Sequence, residues 1–317
     1  SFPLGLIWVN AVIVLCVWGT GSALTRIEWT VPRGAPIRAA LLQGAVPQSM
    51  KWAADQRAHT MQLYADMMVP HLGADVIVWP ESAIPALEAN VRPFLAQMSA
   101  LANESGSSLL MGLLRRDAAT GAYYNSVAAW ALEQPVQWYD KRRLVPFGEF
   151  FPVPQAVREW LRLMNLPYSD FEPGRADPAS LRAAGETFAP TICYEDAYGS
   201  EQLGLARQST LLVNVTNDAW FGNSTAPHQH LDISRMRALE SGRAMLRATN
   251  DGVTALIEHD GSLLGTLPQF QPGVLTGEVQ PRTGLTPYVR FGNWPILALL
   301  WLALAVIVVS CRRSSRR

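Results

Sequence analysis

A strand that ends in a cysteine places the strongest constraint on this fold. Residues 187–193 form a β-branched and apolar run that stops at Cys193, and a helix-like stretch, 196–208, follows. A strand-to-helix junction can expose a side chain on a rigid support. A cysteine taken by itself is more often a small core residue than a nucleophile, so the interpretation depends on other segments.

Two further strand ends deliver charged side chains. Residues 75–79 form an apolar strand that meets a proline and then Glu81, and residues 138–149 run from a strand into Lys141 and a Pro/Gly loop. A thiol nucleophile needs a base, and a tetrahedral intermediate needs a cation or N–H donors beside its oxyanion. The three strand ends therefore predict acyl transfer on Cys193, with the carboxylate as general base and the lysine as the stabilising cation.

These motifs carry a family resemblance. The segments WPES, YDKRRLVPFGEF and ICYED are similar to the Glu-Lys-Cys triad of the nitrilase, or carbon-nitrogen hydrolase, superfamily. The segments QGAVPQSMKW, VPFGEFFP, NVTNDAWFG, APHQHL and TGLTPYVRFGNWP resemble, more narrowly, the apolipoprotein N-acyltransferases. The resemblance covers essentially the whole chain. It implies an α/β fold, the α-β-β-α sandwich of nitrilases, which the order of predicted elements fits.

Several neighbours of the triad are candidate site residues. The resemblance implies that Glu149 and Glu195 matter for activity, and either carboxylate could orient Lys141 or accept a proton from an incoming amine. The backbone N–H of Tyr194 is expected to join the lysine beside the oxyanion. The sequence does not assign separate roles to the two carboxylates.

Aromatic and histidine residues give weaker signals. Trp52 matches an aromatic position that lines the site in the resembled family. Trp220 and Phe221 follow a strand end and either bound an acyl-chain slot or pack in the core, and the sequence leaves both open. His228 and His230 have a spacing that could bind a metal, but two ligands without a third are weak evidence. We therefore predict no metal and no cofactor.

An uncharged, apolar segment lies at or near each end of the chain. Residues 1–25 and 291–311 are each long enough for a membrane helix, which needs about 20 residues. A signal peptide is the alternative for the first segment and a buried core helix for the second. Since the chain does not begin with Met, we expect a longer protein, and the family resemblance implies further membrane helices upstream.

A basic tail indicates orientation. Residues 312–317 contain four arginines directly after the second apolar segment. The positive-inside rule places this tail in the cytoplasm and the catalytic domain, residues 26–290, on the periplasmic side of a bacterial inner membrane. Without those arginines the acidic residues outnumber the basic ones by four, so nothing suggests a nucleic-acid partner.

The cysteines fit the same organisation. Cys16 and Cys311 fall in the predicted membrane segments, which leaves Cys193 as the one cysteine of the catalytic domain. A domain with one cysteine forms no internal disulfide. The thiol is thus available for chemistry.

Two stretches carry further predictions. Residues 144–178 are apolar but interrupted by prolines, which indicates a lid that dips into lipid and excludes water, with a domain-packing insertion as the alternative. Residues 228–247 have helical spacing, and the four arginines among them, Arg235, Arg237, Arg243 and Arg247, are expected on a solvated face.

The resemblance implies the substrates. Cys193 would take a fatty acyl chain from a phospholipid and pass it to the N-terminal α-amine of a diacylglyceryl-cysteine apolipoprotein, in two ping-pong half-reactions. One alternative is a membrane-anchored nitrilase or amidase that hydrolyses a C–N bond with the same triad. The other is a catalytically inactive membrane-anchored scaffold, in which the thiol would be inert.

Overall fold

The computed structural model describes residues 4–53, 55–150, 152–153 and 171–314. Its strands are β1 (Thr30–Pro32), β2 (Ile37–Gln43), β3 (Val76–Trp79), β4 (Ser108–Arg116), β5 (Tyr123–Trp130), β6 (Gln137–Asp140), β7 (Leu181–Ala183), β8 (Glu186–Ile192), β9 (Leu211–Thr216), β10 (Met245–Thr249), β11 (Ala255–Ile257), β12 (Leu263–Thr266), β13 (Gly273–Val279) and β14 (Arg282–Gly284). Its α-helices are α1 (Leu4–Leu24), α2 (Gln48–Lys51), α3 (Arg57–Met68), α4 (Arg92–Glu104), α5 (Gly199–Gln208), α6 (Ala226–Ser241), α7 (Pro287–Phe291) and α8 (Trp294–Ser314).

Two six-stranded sheets form the centre of the described fold. One has the strand order β13-β2-β3-β4-β5-β6 and the other the order β12-β11-β10-β9-β8-β7, while β1 and β14 form a separate pair. In both sheets the inner strands run parallel: β2, β3 and β4 in the first, and β8, β9 and β10 in the second. Parallel strands that are covered on both faces favour continuous apolar runs, as their sequences show.

Side-chain alternation along each strand separates the layers. On β2, Ala39 and Leu41 belong to the core between the sheets, whereas Ala40 and Leu42 face the cluster formed with α3 and α4. The outer face of the second sheet is covered by α5 and α6, which line a small cavity with residues of β8, β9 and β10. The result is the α-β-β-α sandwich that the resemblance implied.

The helix predicted over residues 228–247 is shorter than expected. Helix α6 ends at Ser241, and Gly242 adopts a φ of 62°, the left-handed conformation that commonly ends a helix. The chain then enters β10. Arg243 and Arg247 are consequently buried, at 2% and 0% exposure, and the prediction of a solvated face is wrong for both.

The predicted membrane segments correspond to α1 and α8, each of 21 residues. In the described part of the chain, no helix combines the length and apolar character needed to cross a bilayer. The prediction of flanking transmembrane helices is therefore not confirmed. Most of the predicted lid, including residues 154–170, lies outside the described residues.

Candidate active site

The three predicted catalytic residues follow three strand ends, as expected. Glu81 comes two residues after β3, Lys141 directly after β6, and Cys193 directly after β8. The first two strands belong to one sheet and the third to the other. Glu81 and Lys141 are both buried, at 7% and 1% exposure. The charges of Glu81 and Lys141 act on the Cys193 thiol, which indicates that the three strand ends lie near one another.

Glu81 and Lys141 are in contact, and Glu149 joins them. The Nζ atom of Lys141 lies 3.4 Å from Oε1 of Glu81 and 2.9 Å from Oε1 of Glu149. The side-chain amide of Asn125, on β5, donates to the same two oxygens at 2.7 and 2.8 Å. One ammonium and one amide thus hold two carboxylates together, which would otherwise repel each other.

Close backbone packing fixes the position of Glu81. A Cβ atom added to Gly112, on β4, would lie 2.6 Å from the Cα atom of Glu81, so a side chain at residue 112 would displace the carboxylate. The next residue, Ser82, has a φ of 46°, in the left-handed region that is unfavourable for a residue with a side chain. Such backbone strain is typical of functional sites.

The Cys193 turn shows the same strain. Cys193 begins a short 3₁₀ turn, Cys193–Ala197, with a φ of 54°. Burial, and next the charge of Glu81, raise the pKa of its thiol to about 12, although Lys141 opposes this effect. At neutral pH the sulfur therefore keeps its proton until a base removes it.

Lys141 provides a permanent positive charge. Burial opposes its ammonium form, but Glu81 and Glu149 together raise its pKa well above the ordinary value. The ring of Tyr194 lies 5.8 Å from Nζ, a distance at which a cation–π contact contributes. The Tyr194 hydroxyl donates to the carbonyl oxygen of Leu144 at 2.9 Å. Tyr194 therefore connects the Cys193 turn to the loop after Lys141.

Glu195 also joins the Cys193 turn to the segment that follows Lys141, through hydrogen bonds to both. One carboxylate oxygen accepts the backbone N–H groups of Arg142, at 2.6 Å, and Arg143, at 3.1 Å. The other accepts the hydroxyl of Tyr139 and the backbone N–H of Ile192, both at 2.9 Å. Burial raises the pKa of Glu195. Its four hydrogen bonds indicate a positioning role, a distinction from Glu149 that the sequence did not provide.

A cavity of about 410 Å³ opens beside this cluster. Glu81 and Glu149 line it, and so do Trp52 and Trp220, which are 42% and 71% exposed. The predicted aromatic residue Phe221 is 48% exposed and is not part of the cavity wall. An aromatic wall beside reactive carboxylates suits a substrate with both an apolar and a polar part.

A buried charge network lies behind Cys193, and sequence analysis missed it. His230 Nε2 lies 3.3 Å from the carbonyl oxygen of Cys193 and 3.1 Å from Asp196, while Nδ1 lies 2.8 Å from Asp218. Arg247 binds Asp218 at 2.8 Å. The sequence signal for this network was Arg247, which lies inside the apolar run MLRAT. The structure thus gives His230 carboxylate partners, whereas His228, two residues before it on the same helix, is exposed.

The network makes stability depend on pH. Burial and Arg247 oppose a charge on His230, but Asp196 and Asp218 raise its pKa from 6.5 to about 9. A raised pKa means that the stabilisation is complete below pH 6.5 and is lost as the pH rises through about 9. A pKa shift of this size corresponds to roughly 3 kcal/mol of unfolding free energy.

His230→Gln is therefore expected to flatten the decline of unfolding free energy between pH 6.5 and 9. Urea unfolding at both pH values measures the decline. His228→Gln, on the exposed side of the same helix, is the matched control and should keep the wild-type slope. If the unfolding free energies of His230→Gln and of the wild type declined equally with pH, the assignment of a protonated imidazole at residue 230 would be contradicted.

With this geometry established, comparison with known proteins shows the family. The family model described as carbon-nitrogen hydrolase matches residues 38–288, which include every strand of both six-stranded sheets except the first residue of β2. The chain belongs to the carbon-nitrogen hydrolase family. The predicted Glu81, Lys141 and Cys193 all lie inside the matched region of this family.

Curated relatives are similar over nearly the whole chain. An apolipoprotein N-acyltransferase from Azotobacter vinelandii is 44% identical over 302 residues, which cover 93% of this chain and 58% of the relative. One from Pseudomonas syringae pv. tomato is 41% identical over 309 residues, covering 96% and 61%. The chain thus spans about three fifths of the length of these relatives.

Solved structures of carbon-nitrogen hydrolases share the fold. A superfamily protein from Xanthomonas campestris superposes with a TM-score of 0.59 at 17% identity, covering 84% of this chain and 97% of that one. An amidase from Nesterenkonia sp. gives 0.58 at 19% identity, covering 86% and 98%. These similarities support the sandwich architecture described above.

Proposed function

We propose that this chain contains the catalytic part of an apolipoprotein N-acyltransferase, with Cys193 as the acyl carrier. The observation that carries the proposal is the contact of Lys141 with two carboxylates beside a thiol that needs a base. The names of the relatives, 41–44% identical to this chain, supply the acceptor class, a lipoprotein. The acyl donor is a membrane phospholipid.

In the first half-reaction, Sγ of Cys193 attacks the ester carbonyl carbon of the phospholipid while its proton passes to Glu81. Because the thiol pKa is about 12, proton transfer accompanies the attack rather than preceding it. Lys141 and the backbone N–H of Tyr194 stabilise the oxyanion. Glu81 then returns the proton to the leaving glycerol oxygen, which releases a lysophospholipid and leaves an acyl thioester.

In the second half-reaction, the α-amine of the diacylglyceryl-cysteine attacks the thioester carbonyl. Glu81 accepts the amine proton and returns it to the departing sulfur, which restores the thiol. Thioesters react readily with amines, so transfer to nitrogen succeeds where water is excluded. Residues 144–178 are proposed to act as the lid that excludes it.

Membrane association fits the two terminal helices. Apolar side chains on α1, such as Trp8 at 70% exposure, and on α8, such as Trp301 at 70%, face away from the protein core. Large exposed apolar surfaces are typical of membrane or protein contacts. We propose that both helices contact the bacterial inner membrane and place the domain on its periplasmic side, beside both lipid substrates.

Incubation with phospholipid is expected to add one fatty acyl group to the wild-type protein, removable by hydroxylamine and detected by intact-mass spectrometry. Cys193→Ala should abolish this adduct because no other group in the proposal accepts the acyl chain. Cys16→Ala, which changes an exposed cysteine on α1, is the control and should retain it. An undiminished labile adduct on Cys193→Ala would refute the proposed nucleophile.

A further inference from the structure

Two cations of the cavity wall have no role in the proposed acyl transfer. Lys51, at the end of α2, is 1% exposed, and its Nζ atom donates to the backbone carbonyl oxygen of Glu81 at 3.2 Å. Arg57, the first residue of α3, lines the same cavity. The carboxylates of the cavity, Glu81 and Glu149, bind Lys141 instead.

Neighbouring groups leave Lys51 short of negative charge and leave one donor of Arg57 without a partner. Burial lowers the pKa of Lys51 to about 8, which shows that nearby anions do not fully offset its desolvation. The Nε atom of Arg57 is buried, and no hydrogen-bond partner for it exists among the described residues. Buried donors without a partner are costly unless a ligand satisfies them.

The start of α3 supplies backbone N–H donors. Its N-cap residue, Gln56, makes no side-chain capping hydrogen bond, and the first turn contains no acidic residue. The first N–H groups of an α-helix lack intrahelical partners and favour anions. The cavity wall thus contains an arginine with an unused donor, at the start of a helix, and a buried lysine, which together suit a phosphate group.

We propose that Lys51 and Arg57 bind the phosphodiester of the acyl donor. The inference rests on the proposed function, because the same lipid must present its ester to Cys193 and its phosphate to these cations. A cavity of about 410 Å³ is large enough for the glycerophosphate portion of a lipid. The subsite selects diacylglycerol esters that carry a phosphate over neutral ones.

The test compares two acyl donors in mixed micelles, phosphatidylglycerol and diacylglycerol with the same chains, using full-length protein purified from membranes. Arg57→Gln is expected to raise KM for phosphatidylglycerol about tenfold, the loss of one charge-assisted hydrogen bond, and to leave KM for diacylglycerol unchanged. Arg57→Lys should recover part of the loss. Arg92→Gln, which changes an arginine with a 73% exposed side chain on α4, is the matched control.

Equal KM values for Arg57→Gln and the wild type with phosphatidylglycerol, or equal losses with both donors, would overturn the inference. Millimolar inorganic phosphate separates the two possible sources of the anion. With phosphate present, the wild-type KM for phosphatidylglycerol should stay within about twofold of its value without phosphate. Strong competition by phosphate would instead assign the site to free phosphate. Absence of any wild-type thioester would instead refute the proposed function, and the subsite with it.

Discussion

Glu81→Gln is expected to slow acylation of Cys193 by phospholipid about 10²- to 10⁴-fold, the usual contribution of a general base. Glutamine keeps the size of the side chain and can still accept from Asn125, but it cannot take the thiol proton. Burial is the largest cause of the raised thiol pKa of about 12, and it remains in Glu81→Gln, so few sulfurs ionise when no base takes the proton. Single-turnover formation of the thioester, followed by mass spectrometry, measures the rate.

Alkylation by iodoacetamide separates base catalysis from a change in the thiol itself. The charge of Glu81 raises the thiol pKa, so its removal should lower that pKa and speed alkylation while acyl transfer slows. Glu88→Gln, which removes a carboxylate paired with Arg92, is the control and should leave both rates unchanged. An acylation rate within about threefold of the wild type in Glu81→Gln would exclude the base role.

Arg247→Leu is expected to destabilise the protein by about 3–5 kcal/mol, the usual result of removing one partner from a buried ion pair. Arg247 and Asp218 are 0% and 1% exposed, and Nη2 lies 2.8 Å from the carboxylate. Burial opposes ionisation of Asp218, and the charge of Arg247 is the largest influence that lowers its pKa, so removal of Arg247 leaves this buried carboxylate without its main compensating charge. Urea unfolding at neutral pH measures the loss.

Two further variants sharpen this experiment. Adding Asp218→Asn to Arg247→Leu should recover part of the stability, because it removes a buried carboxylate that has lost its partner. Arg235→Leu is the control: its side chain is 42% exposed and pairs with Asp232, so a loss below about 1 kcal/mol is expected. Similar losses in Arg247→Leu and Arg235→Leu would contradict the structural importance assigned to the network.

The strand ends that bear Glu81, Lys141 and Cys193 were readable from sequence because each apolar run stops where a proline, a glycine or a polar segment begins. Local patterns of this kind indicate where a side chain leaves the core. Where the Cys193 turn lies relative to the other two strand ends, by contrast, depends on how two sheets pack. The family resemblance, and not the strand pattern, predicted that these side chains share one site.

The buried network was not predictable in the same way. Asp218 and Arg247 are 29 residues apart, and although Arg247 lies in an apolar run, no local pattern pairs it with Asp218. The helix prediction also extended too far, since charged residues at helical spacing continue past Gly242. That glycine was the available stop signal, and its φ of 62° shows why the helix ends there.

The Lys51 and Arg57 pair illustrates another limit. In sequence, Lys51 stands beside Trp52 in a short polar stretch, and nothing there indicates that it is 1% exposed. Burial of a lysine follows from tertiary packing, and its lowered pKa of about 8 depends on that packing as well. Charged residues with unmet donors can be recognised once cavity walls are known.

A chase experiment on the isolated acyl-enzyme tests the central claim most directly. Wild-type protein is first acylated by phospholipid, freed of excess donor, and then mixed with a diacylglyceryl-cysteine peptide while both species are followed by mass spectrometry. The account predicts that the peptide gains one amide-linked acyl chain as Cys193 loses its thioester in equal amount. Release of free fatty acid without peptide acylation, or an acyl chain on a residue other than Cys193, would contradict it.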